Sequence, residues 1–297
     1  MDVASIPLPA LDRAEVVVPA PGPGPGNWAG AASATLVDGE VYLAYRVRRP
    51  LSEGRGVATQ VVRLPDGVTP VPVCEVSRDD FGAESFERPV VLRRPDGGWR
   101  LYLSCATPGS KHWWIEALDA DRPEDLPRGR RTVVLPGDDR VGVKDPVITV
   151  RDGLWEMWVC EHPLTEPGHE DRMSTAYLTS DDGLSWHRHG TVLQPGAGDW
   201  DQRGTRVTAV LSHDPLTVLY DGRATAEENW HERTGLARLD ADGGLHPDRS
   251  VPAIGSPHSD GALRYVTAVL LEDGPTRFYA EAARPDGGHD LVTSLSR

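Results

Sequence analysis

The sequence predicts an all-β fold, a five-bladed β-propeller with four antiparallel strands per blade. Three observations lead there. One hairpin pattern recurs five times along 297 residues. Hardly any segment has helical periodicity, and 31 Gly and 26 Pro interrupt the chain too often for long helices. The repeat is regular, which is the mark of stacked or radial units.

The first copy is "SATLVDGEVYLAYRV" (33–47) and the second "RPVVLRRPDGGWRLYLSCA" (88–106). "DPVITVRDGLWEMWVCEH" (145–162), "RVTAVLSHDPLTVLYDG" (206–222) and "RYVTAVLLEDGPTRFYAEA" (264–282) follow. Each reads as an apolar strand, a tight turn and a second apolar strand. Asp-Gly is a strong hairpin signal because Gly tolerates positive φ. The turn aspartates at 38, 96, 152, 214 and 273 are spaced by 58, 56, 62 and 59 residues.

Further strand candidates come after each hairpin. "VATQVVRLPDG" and "VTPVPVCEV" follow the first, "STAYLTSDDGLSWHRHG" and a "TVL" run the third, and "TGLARLDADGGLH" the fourth. The last copy ends in "HDLVTSLSR", with room for three strands, so "RAEVVVPA" (13–20) is expected to supply the fourth and close the ring. Radial repetition leaves few exposed strand edges. A β-sandwich, the rival fold, predicts no such period. The expected blades are 27–80, 81–140, 141–198, 199–257 and 258–297 plus 13–20, in a single domain. "PAPGPGPGNW" (19–28) reads as a stiff connector into the first blade.

In this topology the Asp-Gly turns share one face. The opposite face takes the starts of the inner strands and the ends of the second strands. There the sequence changes character: inner strands begin "GNWAG", "SFERP", "GVKDP", "DQRGTR" and "GALRY". Second strands run out into "YRVRRPLSEGRG", "CATPGSKHWW", "CEHPLTEPGHEDRM", "DGRATAEENWHERTG" and "EAARPDGGHD". Burying so many charges near an axis is costly without partners or a ligand, which points to a pocket there.

Composition limits what the pocket serves. Acidic residues outnumber basic ones 45 to 31, for a net charge of −14, which argues against nucleic acid and anionic membranes as partners. No stretch is apolar enough for a spanning helix, and the first residues lack a leader's pattern, so a soluble cytoplasmic protein is expected. Cys74, Cys105 and Cys160 are too scattered for a disulfide framework or zinc site and read as buried thiols. No metal-ligand spacing, phosphate loop or nucleophile elbow is present, and no cofactor is expected.

With these features the chain resembles the five-bladed propeller glycosidases: arabinanases, xylosidases, invertases, levansucrases and mannoside phosphorylases. "SDDGLSW" is similar to third-strand turns of that group. "KDP" (144–146) resembles the Asp-Pro opening the third blade of arabinanase-like members, where the aspartate orients the general acid, and "CEH" (160–162) loosely resembles the invertase Glu-Cys in reverse order. The resemblance implies carboxylate acid/base chemistry on a glycosidic bond. The chain departs from it in two places. "GNWAGAAS" offers Asn27 and no carboxylate at the start of the first blade, and "WDQRGTR" offers Asp201 but no glutamate in the fourth.

The expected catalytic carboxylates are therefore Asp145, Glu87 and Glu161. Each has a plain alternative: an ion pair with Lys144 for Asp145, one with Arg88 for Glu87, and for Glu161 a strand alternation that turns Cys160 inward instead. Asn27, Trp28, Arg46, Arg88, Lys144, His162, Asp201, Arg203, Arg206, Asp221, Arg223 and Arg264 are the expected substrate-binding set. Trp113, Trp114 and Trp230 are further stacking candidates, and Glu228 and Trp230 alternatively lie on a short surface helix. The expected ligand is a small carbohydrate; any arginine left without a carboxylate extends this to an anionic one, a uronic acid or phosphate. Glycoside hydrolysis is the leading expectation. Phosphorolysis and sugar or small-molecule binding without turnover are the alternatives.

Overall fold

A computed structural model describes residues 6–196, 198–272 and 274–296. The expected turn aspartate at 273 lies outside the described residues. The fold is all-β, with twenty strands and a few short 3-10 turns among the described residues. After β1 (Glu15–Val18) come β2 (Trp28–Val37), β3 (Glu40–Arg48), β4 (Gly56–Leu64) and β5 (Val71–Ser77). Next are β6 (Val90–Arg93), β7 (Trp99–Ala106), β8 (Trp113–Ala120) and β9 (Arg130–Leu135). Then come β10 (Val141–Arg151), β11 (Leu154–Pro163), β12 (Ser174–Ser180) and β13 (His187–Leu193). β14 (Gly204–His213), β15 (Leu216–Arg223), β16 (Arg233–Leu239) and β17 (Leu245–Pro247) precede β18 (Leu263–Leu270), β19 (Thr276–Ala283) and β20 (His289–Leu295).

β6 to β9, β10 to β13 and β14 to β17 each form a separate four-stranded sheet with neighbours in chain order. The remaining strands form one eight-stranded sheet, ordered β18-β19-β20-β2-β3-β4-β5, with β1 paired to β20. Within it, β20 and β2 touch through one parallel bridge, Trp28 to His289. β1 lies antiparallel on β20, Val16 opposite Val292.

Five apolar clusters fill the spaces between successive groups of strands. Val61, Phe86 and Leu101 sit between β2–β5 and β6–β9, and Tyr102, Ile115 and Trp155 between β6–β9 and β10–β13. Trp158, Val207 and Tyr220 come next, followed by Leu219, Leu263 and Phe278. The last cluster packs Val17, Tyr279 and Leu291 on Leu43 and Val62, joining the end of the chain to its beginning. The near-continuous buried runs of β10, β14 and β18 show both faces of these strands covered.

One local device positions the site. β2, β10 and β18 each carry a register shift just inside their start, after Gly30, Lys144 and Arg264. Ala31, Asp145 and Tyr265 occupy these bulges in the left-handed region, with φ of 51°, 54° and 53°. Such bulges re-aim side chains at the cost of roughly 1–3 kcal/mol for each strained residue. The segment around Glu228 and Trp230 forms bends and turns, not the short helix weighed above.

Candidate functional site

A cavity of about 660 Å³ opens where the inner strands begin and the second strands end. Arg46 and Arg48 come from the end of β3, Lys144 from the start of β10, and His162 from the end of β11. Arg206 and Arg223 come from β14 and β15, and Arg264 and Tyr265 from β18. Arg55, Glu87, Trp113, Trp230 and Glu232 complete the inner wall from the connecting segments and β8.

The charges behind this wall form a nearly continuous chain of ion pairs. Arg206 donates to Asp145 at 2.8 Å and to Asp221 at 2.7 Å. Asp145 also accepts from the Arg88 backbone N–H at 3.0 Å, and Lys144 lies 3.8 Å away. Glu232 pairs with Arg223 at 2.8 Å and Arg264 at 2.6 Å. Arg264 continues to Glu281 at 3.0 Å, Glu281 accepts from Arg46 at 3.2 Å, and Arg46 also contacts Glu87. Arg55 holds the other oxygen of Glu87 at 2.8 Å.

These contacts set protonation. Burial alone would raise the Asp145 carboxyl, but Lys144, Arg206 and the Arg88 N–H together hold it well below the usual range. Burial likewise opposes ionisation of Glu232, and Arg264, Arg223 and Arg206 overcome it, to about 2. Asp221 goes the other way: burial raises it more than Arg206 lowers it. Burial brings the Lys144 ammonium down to about 8 in spite of Asp145. Its Nζ stands 4.5 Å above the ring of Trp113. His162 is held neutral chiefly by burial and then by Lys144, with its Nδ1 2.7 Å from the Glu170 carbonyl oxygen.

Of the expected catalytic set, Glu87 lines the cavity and Asp145 stands directly behind it with no exposed surface. Glu161 is elsewhere. It forms a two-pronged ion pair with Arg188 of β13, both contacts 2.8 Å. Alternation along β11 places Cys160 opposite Lys144, next to the site, and turns Glu161 the other way. Among the expected binding residues Arg46, Lys144, His162, Arg206, Arg223 and Arg264 line the cavity, and Asp221 backs it.

The rest serve the frame. Arg88 is buried behind the wall, its Nη2 donating to the Thr208 carbonyl at 2.9 Å. Asn27 donates to the Pro23 carbonyl, fastening the connector, and Trp28 stacks on His289. Asp201 accepts from Tyr220 and Arg249 beneath the loop before β14, away from the cavity. Arg203 forks onto Asp171 at the rim. Trp113 and Trp230 line the wall; Trp114 does not.

Sequence reasoning missed Arg48, Arg55, Glu232, Tyr265 and Glu281. Glu281 was within reach: it lies opposite Arg264 as Asp221 lies opposite Arg206, in the same register of two copies of the hairpin. Arg55 and Glu232 sit in connecting segments, where the repeat carries no register. The first-blade position that lacks a carboxylate is taken up by Gly30 and Ala31, and the Glu281 side chain occupies the space in front of Gly30.

Among the described residues no group of His, Cys, Asp and Glu is placed to hold a metal ion, and no helix is long and apolar enough to cross a membrane. The three cysteines are unpaired, with Cys105 and Cys160 buried and Cys74 half-buried.

No protein-family model matches the chain, and no curated protein matches it. Solved structures do. A thermostable family-43 glycoside hydrolase superposes with a TM-score of 0.68 at 14% identity, over 90% of this chain and 88% of that one. An α-L-arabinofuranosidase from Lactobacillus brevis gives 0.66 at 12% identity, covering 90% of each chain. The β-1,2-mannobiose phosphorylase of Listeria innocua gives 0.65 at 14% identity, over 96% of this chain and 90% of that one. At such identities the likeness is one of fold: the chain has the all-β propeller architecture of these glycoside hydrolases and phosphorylases.

Proposed function

We propose that the protein is a five-bladed propeller that acts on a glycoside in its axial cavity by glycosidase-like chemistry. The blade count is supported by the five apolar clusters, each joining one group of four strands to the next and the last group to the first. The observation that carries the functional reading is the cavity itself: a space of sugar size at the inner-strand starts, walled by charge and by Trp113 and Trp230. The same architecture in glycoside-cleaving enzymes supports it as analogy, which by itself sets no activity.

Within this reading Glu87 is the carboxylate that meets the ligand, held between Arg46 and Arg55. Asp145 is a positioning residue. Kept ionised, it aligns Arg206 and Lys144 and has no proton to give. Lys144, brought down to about 8, is a cavity group whose proton is loosened.

Phosphorolysis is the second reading, and a specific observation favours it. Each of the five buried axial carboxylates, Glu87, Asp145, Asp221, Glu232 and Glu281, is already engaged by an arginine. Hydrolysis needs a second free carboxylate to activate water or attack carbon. Phosphate would bring its own nucleophilic oxygen, and a cation-rich wall would hold it.

The test is turnover of a panel of neutral and uronic nitrophenyl glycosides, with and without phosphate, by the wild type and by Glu87→Gln and Asp145→Asn. Release of nitrophenol that both substitutions suppress supports the enzyme, and a phosphate requirement selects phosphorolysis. Absence of turnover from folded protein leaves sugar binding without chemistry.

A further inference from the structure

The arginines that line the cavity are not equivalent. Arg46, Arg206, Arg223 and Arg264 each grip one or more buried carboxylates. Arg48 grips none. It is only 3% exposed at the end of β3, and it donates to the Gly26 carbonyl at 3.3 Å. Its guanidinium lies over the rings of Trp28 at 3.9 Å and Trp230 at 5.0 Å. Aromatic faces fix the plane of a guanidinium without neutralising it, and they leave its hydrogen-bonding edge free.

Arg55, on the same wall, is half satisfied. One Nη reaches Glu87, whereas its buried Nε has no partner among the described residues. Its backbone sits in the left-handed region at φ 58°, a conformation a non-glycine residue holds only when something fixes it. Burial disfavours the charge on both side chains, and Arg46 beside them adds repulsion. Arg55 is offset in part by Glu87, and Arg48, a buried cation with no carboxylate of its own among the described residues, is costly unless a counter-ion arrives. The protein as a whole is strongly acidic, so this local surplus is not a general surface property.

We propose that Arg48 and Arg55 form an oxyanion subsite in the wall of the cavity, which takes a carboxylate or phosphate group of the ligand. This rests on the reading of the cavity as a carbohydrate site and narrows it to an anionic ligand or co-substrate. The planar fork of Arg48 offers paired N–H donors that match either group. Trp28 lies over the guanidinium at the shorter distance, and Trp230, set at 69° to Trp28, flanks it. The two sources of such a group, free phosphate and a sugar carboxylate, share this chemistry and separate experimentally.

The experiment is calorimetric titration of the full chain with inorganic phosphate, D-glucuronate and D-glucose at two salt concentrations. Wild type is expected to bind at least one of the two anions, more weakly at higher salt. Arg48→Gln is expected to weaken that binding about tenfold or more, the loss of a charge-assisted contact. Arg48→Lys, which keeps charge without the fork, is expected to fall between, and guards against a folding defect in the first variant. Preference for phosphate identifies the free ion as the source, and preference for glucuronate identifies a sugar acid. Failure of both anions to bind, or wild-type affinity in both Arg48 variants, overturns the subsite. Anion binding at Arg48 without glycoside turnover leaves the subsite standing and removes the catalytic reading. Turnover with unchanged KM in Arg48→Gln removes only the subsite.

Discussion

The side chain of Glu281 fills the space in front of Gly30, so that a Cβ at position 30 would collide with the glutamate's carboxylate and its methylene groups. The last hairpin thereby supplies an anion at the place where the first strand offers none. Glu281 is not free to give way, because Arg46, Arg264 and His289 all hold it. Gly30→Ala is therefore expected to destabilise the fold by about 1–3 kcal/mol, the range for overpacking a fitted core. Urea unfolding of the variant checks this; wild-type stability would mean that Glu281 swings aside.

Arg206 bridges Asp145 and Asp221, and none of the three has appreciable exposed surface. Removing the guanidinium strands two buried carboxyl groups. Arg206→Met is expected to cost about 3–5 kcal/mol, and Arg206→Lys to recover only part, since one ammonium cannot fork to both. Thermal denaturation of the two variants tests the order.

The acid limb of the stability curve has an identifiable contributor. Glu232 titrates near 4.5 in an unfolded chain and near 2 in the fold. The native state thus binds the proton less readily. The stabilisation is complete above pH 4.5, falls as pH drops, and is gone below about 2. Its size is on the order of 3 kcal/mol, from a shift worth about 1.4 kcal/mol per pH unit. Glu232→Gln is expected to flatten that part of the curve, as measured by unfolding at a series of pH values.

Lys144 acts at the other end. Its folded value is about 8 against an ordinary 10.5, so the unfolded chain holds the proton more tightly across that window. Stability contributed at this site therefore rises from pH 8 to pH 10.5. Lys144→Met should abolish the rise, and a slope that persists in the variant would assign it to another group.

Glu161 and Glu87 provide an internal contrast. The Glu161–Arg188 pair is partly solvated, so Glu161→Gln is expected to cost under about 1 kcal/mol and to leave ligand binding and turnover unchanged. Glu87→Gln is expected to abolish turnover in the same assay. Equal losses in both would contradict the outward orientation of Glu161.

Much of the fold is written locally. A turn such as Asp152-Gly153 between two apolar runs specifies its own hairpin, and β10 and β11 pair about it as read. The pairing of β1 was legible for a related reason: the last hairpin had one strand candidate too few, and β1 pairs with β20. The site was legible as a location, since strand direction alone sends Arg46, Lys144, Arg206 and Arg264 to one end. Partner choice was not. Whether an arginine meets a carboxylate depends on side chains brought in from other copies, as when Arg46 reaches Glu87 and Glu281. Inward or outward aim was equally hidden. A bulge after Lys144 changes the parity of β10 against β11, and parity decided between Cys160 and Glu161.

The bridge from Trp28 to His289 bears on how the molecule comes apart. Their rings stack at 4.3 Å and 8°, the Ala10 N–H donates to Ser294, and β1 is clasped on β20. A row of repeats has ends from which it can fray one unit at a time. Here the first strands and the last are each other's neighbours, so fraying at either end of the chain would disturb the other. Loss of one blade would strip the adjoining two, and the chain should unfold in a single cooperative step.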